Sequence, residues 1–130
     1  MPLSFCDKAL LNKARKLFPD LFPEEVRKDL FMVLDGEEDF GLFEPDGDNA
    51  CWGHYFFLSK PSAKESIIKA NNILDKVFVD YVVVKGLTPV DKKGALWLTR
   101  KLGFKELDKI TLANGATCVL FYLHRDERNF

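Results

Sequence analysis

The chain is short of cysteine and histidine and carries almost no net charge, and each shortage removes a class of function. Its three cysteines stand at 6, 51 and 118 and form no C-x-x-C pair. That odd, scattered set argues for reduced, packed thiols in a cytoplasmic setting, not for a disulfide framework. Cys51 and His54 are three apart on a predicted strand and so face opposite sides of it, and no second Cys–His pair completes a zinc site. Asp46 and Asp48 lack the glycine and bidentate glutamate of a calcium loop. Lys plus Arg total 19 against 20 Asp plus Glu, a formal net charge of −1, which gives no strong nucleic-acid signal. No apolar run approaches the roughly 20 residues of a membrane span. The longest, around Val82-Val83-Val84, is broken by Asp80 and Lys85. The opening MPLSFCDKALLNK has no signal-peptide core. There is no G-x-S-x-G, no P-loop, no repeat and no low-complexity stretch.

What is present is a core. Of 130 residues 47% are apolar, 12 of them Phe, enough for one α/β domain over residues 1–130. Leu10, Ala14 and Leu17 recur at helical spacing, predicting a helix from Ser4 to Phe18 that Pro19 ends. Pro23, with Glu24 and Glu25 behind it, predicts a second helix with Val26, Leu30 and Val33 as its apolar stripe. The acidic run Asp35-Gly36-Glu37-Glu38-Asp39 reads as a solvated loop. Phe40–Glu44 and Cys51–Ser59 read as a hairpin about Pro45-Asp46-Gly47-Asp48-Asn49. Ser62-Ala63-Lys64-Glu65 is a capping box, followed by Ile67, Ala70, Leu74 and Val77 on one helical face. Val79–Lys85 reads as a buried strand and Gly86–Pro89 as a turn. Asp91–Leu102 reads as a helix stopped by Gly103, and a last hairpin turns at Asn114-Gly115. Strand, helix, strand in the middle of the chain predicts a parallel crossover within a mixed sheet.

This order, with Val82–Glu106 and its Leu102-Gly103-Phe104 ending, resembles the GNAT superfamily of acetyl-coenzyme A-dependent N-acetyltransferases. The resemblance covers residues 40–124 and implies a GNAT-like mixed sheet flanked by helices, with the usual first strand missing. It implies that the Cys51–Ser59 and Val79–Lys85 strands are parallel, part towards Ser59 and Gly86, and admit the pantetheine arm of acetyl-CoA. Backbone groups of Phe56, Phe57, Leu58 and Ser59 would then hold the arm. Lys60, Ser62, Ala63 and Lys64 would seat the pyrophosphate at a helix N-terminus, with Lys92 as a further cofactor contact. His54 is the candidate base, because an imidazole near pKa 6.5 can deprotonate an ammonium; Glu44 on the neighbouring strand is the second candidate.

The sequence also departs from the pattern. The stretch from Ser59 to Lys64 has no glycine, Pro61 removes a donor, and Thr99 stands where the family often has an acidic Tyr. Trp97, Phe104, Phe121 and Tyr122 are read as core by default. The basic set Lys92, Lys93, Arg100, Lys101 and Lys105 is a solvated face, or else a seat for the adenosine 3′-phosphate or an acidic partner. Two functions remain open: an acyl-CoA N-acyltransferase of weak activity on an unidentified amine, or a non-catalytic GNAT-like protein. Short chains of this type resemble tailed-phage proteins. That implies, for the second function, a virion, head-assembly or host-interaction protein with a phage or host protein partner, located in the host cytoplasm or virion. A small ligand-binding or toxin-neutralising module of another fold is the third reading.

Overall fold

Ser62 starts the longest helix: it adopts extended φ/ψ, its side chain accepts the Glu65 N–H at 3.2 Å, and its hydroxyl donates to Glu65 Oε1 at 3.1 Å. Around this helix the computed structural model describes residues 8–17 and 30–128. The elements are α1 (Lys8–Leu17), β1 (Phe31–Leu34), β2 (Asp39–Asp46), β3 (Ala50–Phe57), α2 (Ala63–Asp80), β4 (Val83–Pro89), α3 (Lys93–Lys101), β5 (Lys105–Thr111) and β6 (Thr117–His124). The six strands form one sheet in the order β1-β2-β3-β4-β6-β5. All neighbours are antiparallel except β3 and β4, which α2 links as a parallel pair.

Strand alternation sorts the side chains into two cores. On one face Phe43, Cys51, Val84, Val119, Phe121 and Leu123 pack with Ala70, Ile73, Leu74 and Val77 of α2 and Leu96 of α3. On the other, Met32, Phe40, Leu42 and Phe56 pack with Leu11 and Ala14 of α1. Cys51 and Cys118 are free and buried, and desolvation pushes the Cys51 thiol up to about 12. Gly103, at φ 99°, takes the left-handed position that follows α3.

Several expectations need correction. Leu30 lies outside any helix and Val33 sits in β1, which pairs with β2 from Phe31↔Phe43 to Leu34↔Phe40. Four consecutive apolar residues fit either period, and the long-range pairing decides. The proposed start of that helix, and both ends of the first, lie outside the described residues. Val79 belongs to α2 and is 76% exposed, so β4 begins four residues later. Gly86–Pro89 is not a turn: pairing with β6 carries β4 on to Pro89↔Cys118. Asp39 is not solvated but buried. Trp97 is not core; it is 40% exposed.

Candidate active site

The pairing of β3 with β4 covers only Ala50↔Val83, Cys51↔Val84 and Trp52↔Lys85. Beyond that point both strands continue, β3 to Phe57 and β4 to Pro89, but no longer pair with each other. Among the described residues the β4-facing edge of Gly53–Phe57 is therefore not laddered to another strand, whereas the β1–β2, β2–β3, β4–β6 and β5–β6 edges are. A cleft of about 560 Å³ occupies the gap. Its floor is Gly53, His54, Tyr55 and Phe57, its far wall Gly86–Pro89, and α2 and α3 close it with Ala63, Ser66, Lys92, Ala95, Trp97 and Thr99. Glycine stands on both strands where they part. A Cβ at Gly86 would meet Gly53 O at 3.5 Å, whereas one at Gly53 would strike the Phe43 ring at 2.4 Å. The throat is thus bare backbone, which suits a slender polar chain laid along a strand edge.

His54 lies at the divergence, on the face of β3 that also carries Phe56; the two rings are 6.5 Å apart. The His54 residue is exposed, while protein atoms packed around it displace part of its water. The resulting desolvation holds its pKa below the ordinary 6.5, so the neutral, basic form prevails near neutrality. Glu44 pairs with Trp52, not with His54, whose partner on β2 is Leu42. It sits half-buried on the same face as His54 and does not line the cleft.

The loop from β3 to α2 is held from beneath. Ser59 donates its N–H to Asp39 Oδ1 at 2.9 Å and its hydroxyl to Asp39 Oδ2 at 2.5 Å. Lys69 Nζ lies 3.0 Å from the same carboxylate and 3.5 Å from Asp35. Burial would raise the Asp39 pKa, but the Ser59 and Lys69 bonds outweigh it and hold the carboxyl below the usual range. Lys60 turns the loop at φ 53°, a left-handed conformation that glycine adopts more readily. At the start of α2, Ser62 takes the N–H groups of Glu65 and Ser66, leaving those of Ala63 and Lys64 without an intrahelical acceptor.

Of the residues singled out from the sequence, His54, Phe57, Ala63 and Lys92 line the cleft. Ser59, Lys60, Ser62 and Lys64 lie exposed along the loop and helix start beside it. The side chains of Phe56 and Leu58, whose backbone groups are the expected contacts, fill the α1 core. Thr99 lines the cleft, but its hydroxyl donates to Ala95 O at 2.7 Å, within its own helix. Sequence reasoning missed Gly53, Tyr55, Ser66 and the wall from Gly86 to Pro89. The paired glycines were the available signal; the wall was hidden by reading Gly86–Pro89 as a turn.

Compared by sequence, the chain matches no family model and no curated protein. Compared by structure, it superposes on a chimera of the spermidine N-acetyltransferase SpeG from Vibrio cholerae and hSSAT with a TM-score of 0.67 at 12% identity, over 97% of this chain and 98% of that one. RimJ of Mycobacterium smegmatis, solved in complex with CoA-disulfide, gives 0.62 at 16% identity over 92% of this chain and 61% of that one. A GNAT-family acetyltransferase from Bacillus anthracis gives 0.57 at 14% identity over 76% and 68%. The chain thus spans less than two thirds of the RimJ chain, and 57% of a solved chain from Acinetobacter baylyi. The mixed six-stranded sheet flanked by helices thus has the fold of solved GNAT acetyltransferases.

Proposed function

We propose that the protein is an acyl-CoA-dependent N-acyltransferase, moving an acyl group, acetyl in the simplest case, from coenzyme A to an amine. The parting of β3 and β4 after Trp52 and Lys85 carries this reading. It offers an unladdered strand edge beside a cleft floored by glycine, and the residues there fit a pantetheine arm. The edge of Gly53–Phe57 supplies backbone donors and acceptors for the arm's amides and a donor to polarise the thioester carbonyl. The Ala63 and Lys64 N–H groups, with Lys60, Lys64 and Lys92, supply positive potential for the pyrophosphate. Acetyl-CoA supplies an acyl group already activated as a thioester.

A ring nitrogen of His54 accepts the proton from the incoming ammonium, which frees the nitrogen lone pair for direct attack with no covalent enzyme intermediate. The N–C bond forms as the C–S bond breaks. The Thr99 hydroxyl is too weak an acid and is bonded to Ala95 O, so the second proton, shed by the new amide nitrogen, reaches the departing thiolate through water. Glu44 is the reserve base on the same face. Acceptors to test are primary amines, beginning with a polyamine and a peptide N-terminus. Thiol release from acetyl-CoA, followed colorimetrically, tests the reading. His54→Ala is expected to slow it roughly 10²–10⁴-fold, the usual weight of a general base, with CoA affinity unchanged. Full activity in His54→Ala and a large loss in Glu44→Gln would transfer the role to Glu44.

A second reading has one observation behind it: donors that a phosphate loop and an acid catalyst would use are already spent. Ser59 N–H goes to Asp39, Pro61 has none, and the Thr99 hydroxyl goes to Ala95. On that reading the chain is a non-catalytic GNAT-fold protein with a phage or host protein partner. Absence of binding to both acetyl-CoA and CoA would favour it.

A further inference from the structure

Asp39 is the one carboxylate buried among the described residues, at 2% exposure. It belongs to β2, yet three of its contacts reach the loop and helix that follow β3: the Ser59 N–H at 2.9 Å, the Ser59 hydroxyl at 2.5 Å and Lys69 Nζ at 3.0 Å. Lys69, one-quarter exposed on α2, also touches Asp35 Oδ2 at 3.5 Å and Asp35 O at 3.4 Å. The cluster therefore ties the β1–β2 turn, the start of β2, the β3–α2 loop and α2 together at one end of the cleft. Two residues beyond Ser59 the chain reaches Pro61, then the Ser62 cap and the first N–H groups of α2.

A fixed anion under a loop that receives another anion poses an electrostatic problem. Unit charges repel by about 1 kcal/mol at 4 Å even in water, and more strongly near a protein surface. A cation held against Asp39 offsets that at its source. We propose that Asp39 is the positioning residue of the phosphate loop and Lys69 its counter-charge: Asp39 fixes Ser59 so that α2 presents its start to the cleft, and Lys69 keeps that carboxylate from repelling the pyrophosphate of a bound CoA. Neither residue touches the ligand. The pair acts through Ser59 and through the local potential. This inference rests on the acyl-CoA reading above.

The test compares CoA with pantetheine, which has the same arm and no phosphate, by calorimetry on the full chain at low salt. Asp39→Asn retains an oxygen acceptor for Ser59 and removes the charge. It is expected to tighten CoA roughly three- to tenfold while pantetheine is unchanged. Lys69→Met leaves the carboxylate uncompensated and is expected to weaken CoA about tenfold, again without effect on pantetheine. The double variant is expected to return to within about threefold of wild type. A purely structural role for the cluster would move both ligands together and overturn the proposal, as would a CoA affinity indifferent to either substitution. Where Lys69→Met does not fold, Asp39→Asn and the double variant decide alone. Wild type that binds neither ligand overturns the acyl-CoA reading and this inference with it; wild type that binds CoA, with variants that match it, overturns this inference only.

Discussion

Gly53 and Gly86 face each other across the point where β3 and β4 cease to pair, with Gly53 O 3.5 Å from the place a Gly86 side chain would start. The two positions tolerate substitution differently. A Cβ at Gly53 collides with Phe43 in the core, whereas one at Gly86 makes only an ordinary contact. Gly86 is therefore the position at which the throat can be closed with little cost to the fold. Gly86→Val should abolish CoA binding and change the melting temperature by no more than a few degrees. Retained affinity in that variant would mean that the arm does not pass between the strands.

The lowered pKa of His54 sets a pH dependence. The base is competent when neutral, so kcat/KM should rise with pH through an inflection below 6.5 and then level off. In His54→Ala the inflection should vanish from a pH–rate profile. An inflection that survives the substitution belongs to another group.

Lys60 holds a left-handed conformation at φ 53°. A non-glycine residue there costs about 1 kcal/mol or slightly more. Lys60→Gly should therefore raise stability by about that amount in chemical denaturation, while removing one positive charge from the phosphate seat. Lower stability would mean that the lysine side chain holds the loop by contacts that outweigh the backbone strain.

What could be read from residues alone was local, or followed from chain order. The Ser62–Glu65 cap needs four consecutive residues, and the parallel crossover follows from strand, helix and strand in sequence. The start of β1 was misread because Phe31-Met32-Val33-Leu34 has no period of its own; its partner Phe40–Phe43 decides. Val79 continues a β-branched run, but α2 keeps winding to Asp80, with Tyr81 N–H closing on Val77 O at 3.0 Å. The Asp39–Ser59 bond joins residues 20 apart on different strands. No pattern in an acidic run distinguishes the one carboxylate that folding buries. His54 was legible as a candidate because an imidazole on that strand can deprotonate an ammonium, but its place at the parting of the strands came only with the register.

Asp39 gives acid stability a direction. Its carboxyl is held below the unfolded value of 3.8. The stabilisation is thus complete above about pH 4 and fades as pH falls through the lower folded pKa. In Asp39→Asn this part of the acid dependence should be missing from denaturation midpoints measured between pH 5 and 2. An unchanged acid profile would assign the loss to other carboxylates.

The most direct measurement is a calorimetric titration of the wild-type chain with acetyl-CoA and CoA, repeated on Gly86→Val. If the gap between β3 and β4 is a coenzyme A site, wild type binds both ligands saturably at one site, and the variant, folded and within a few degrees of wild type in melting temperature, binds neither. No heat from either ligand with folded wild-type protein would contradict that account.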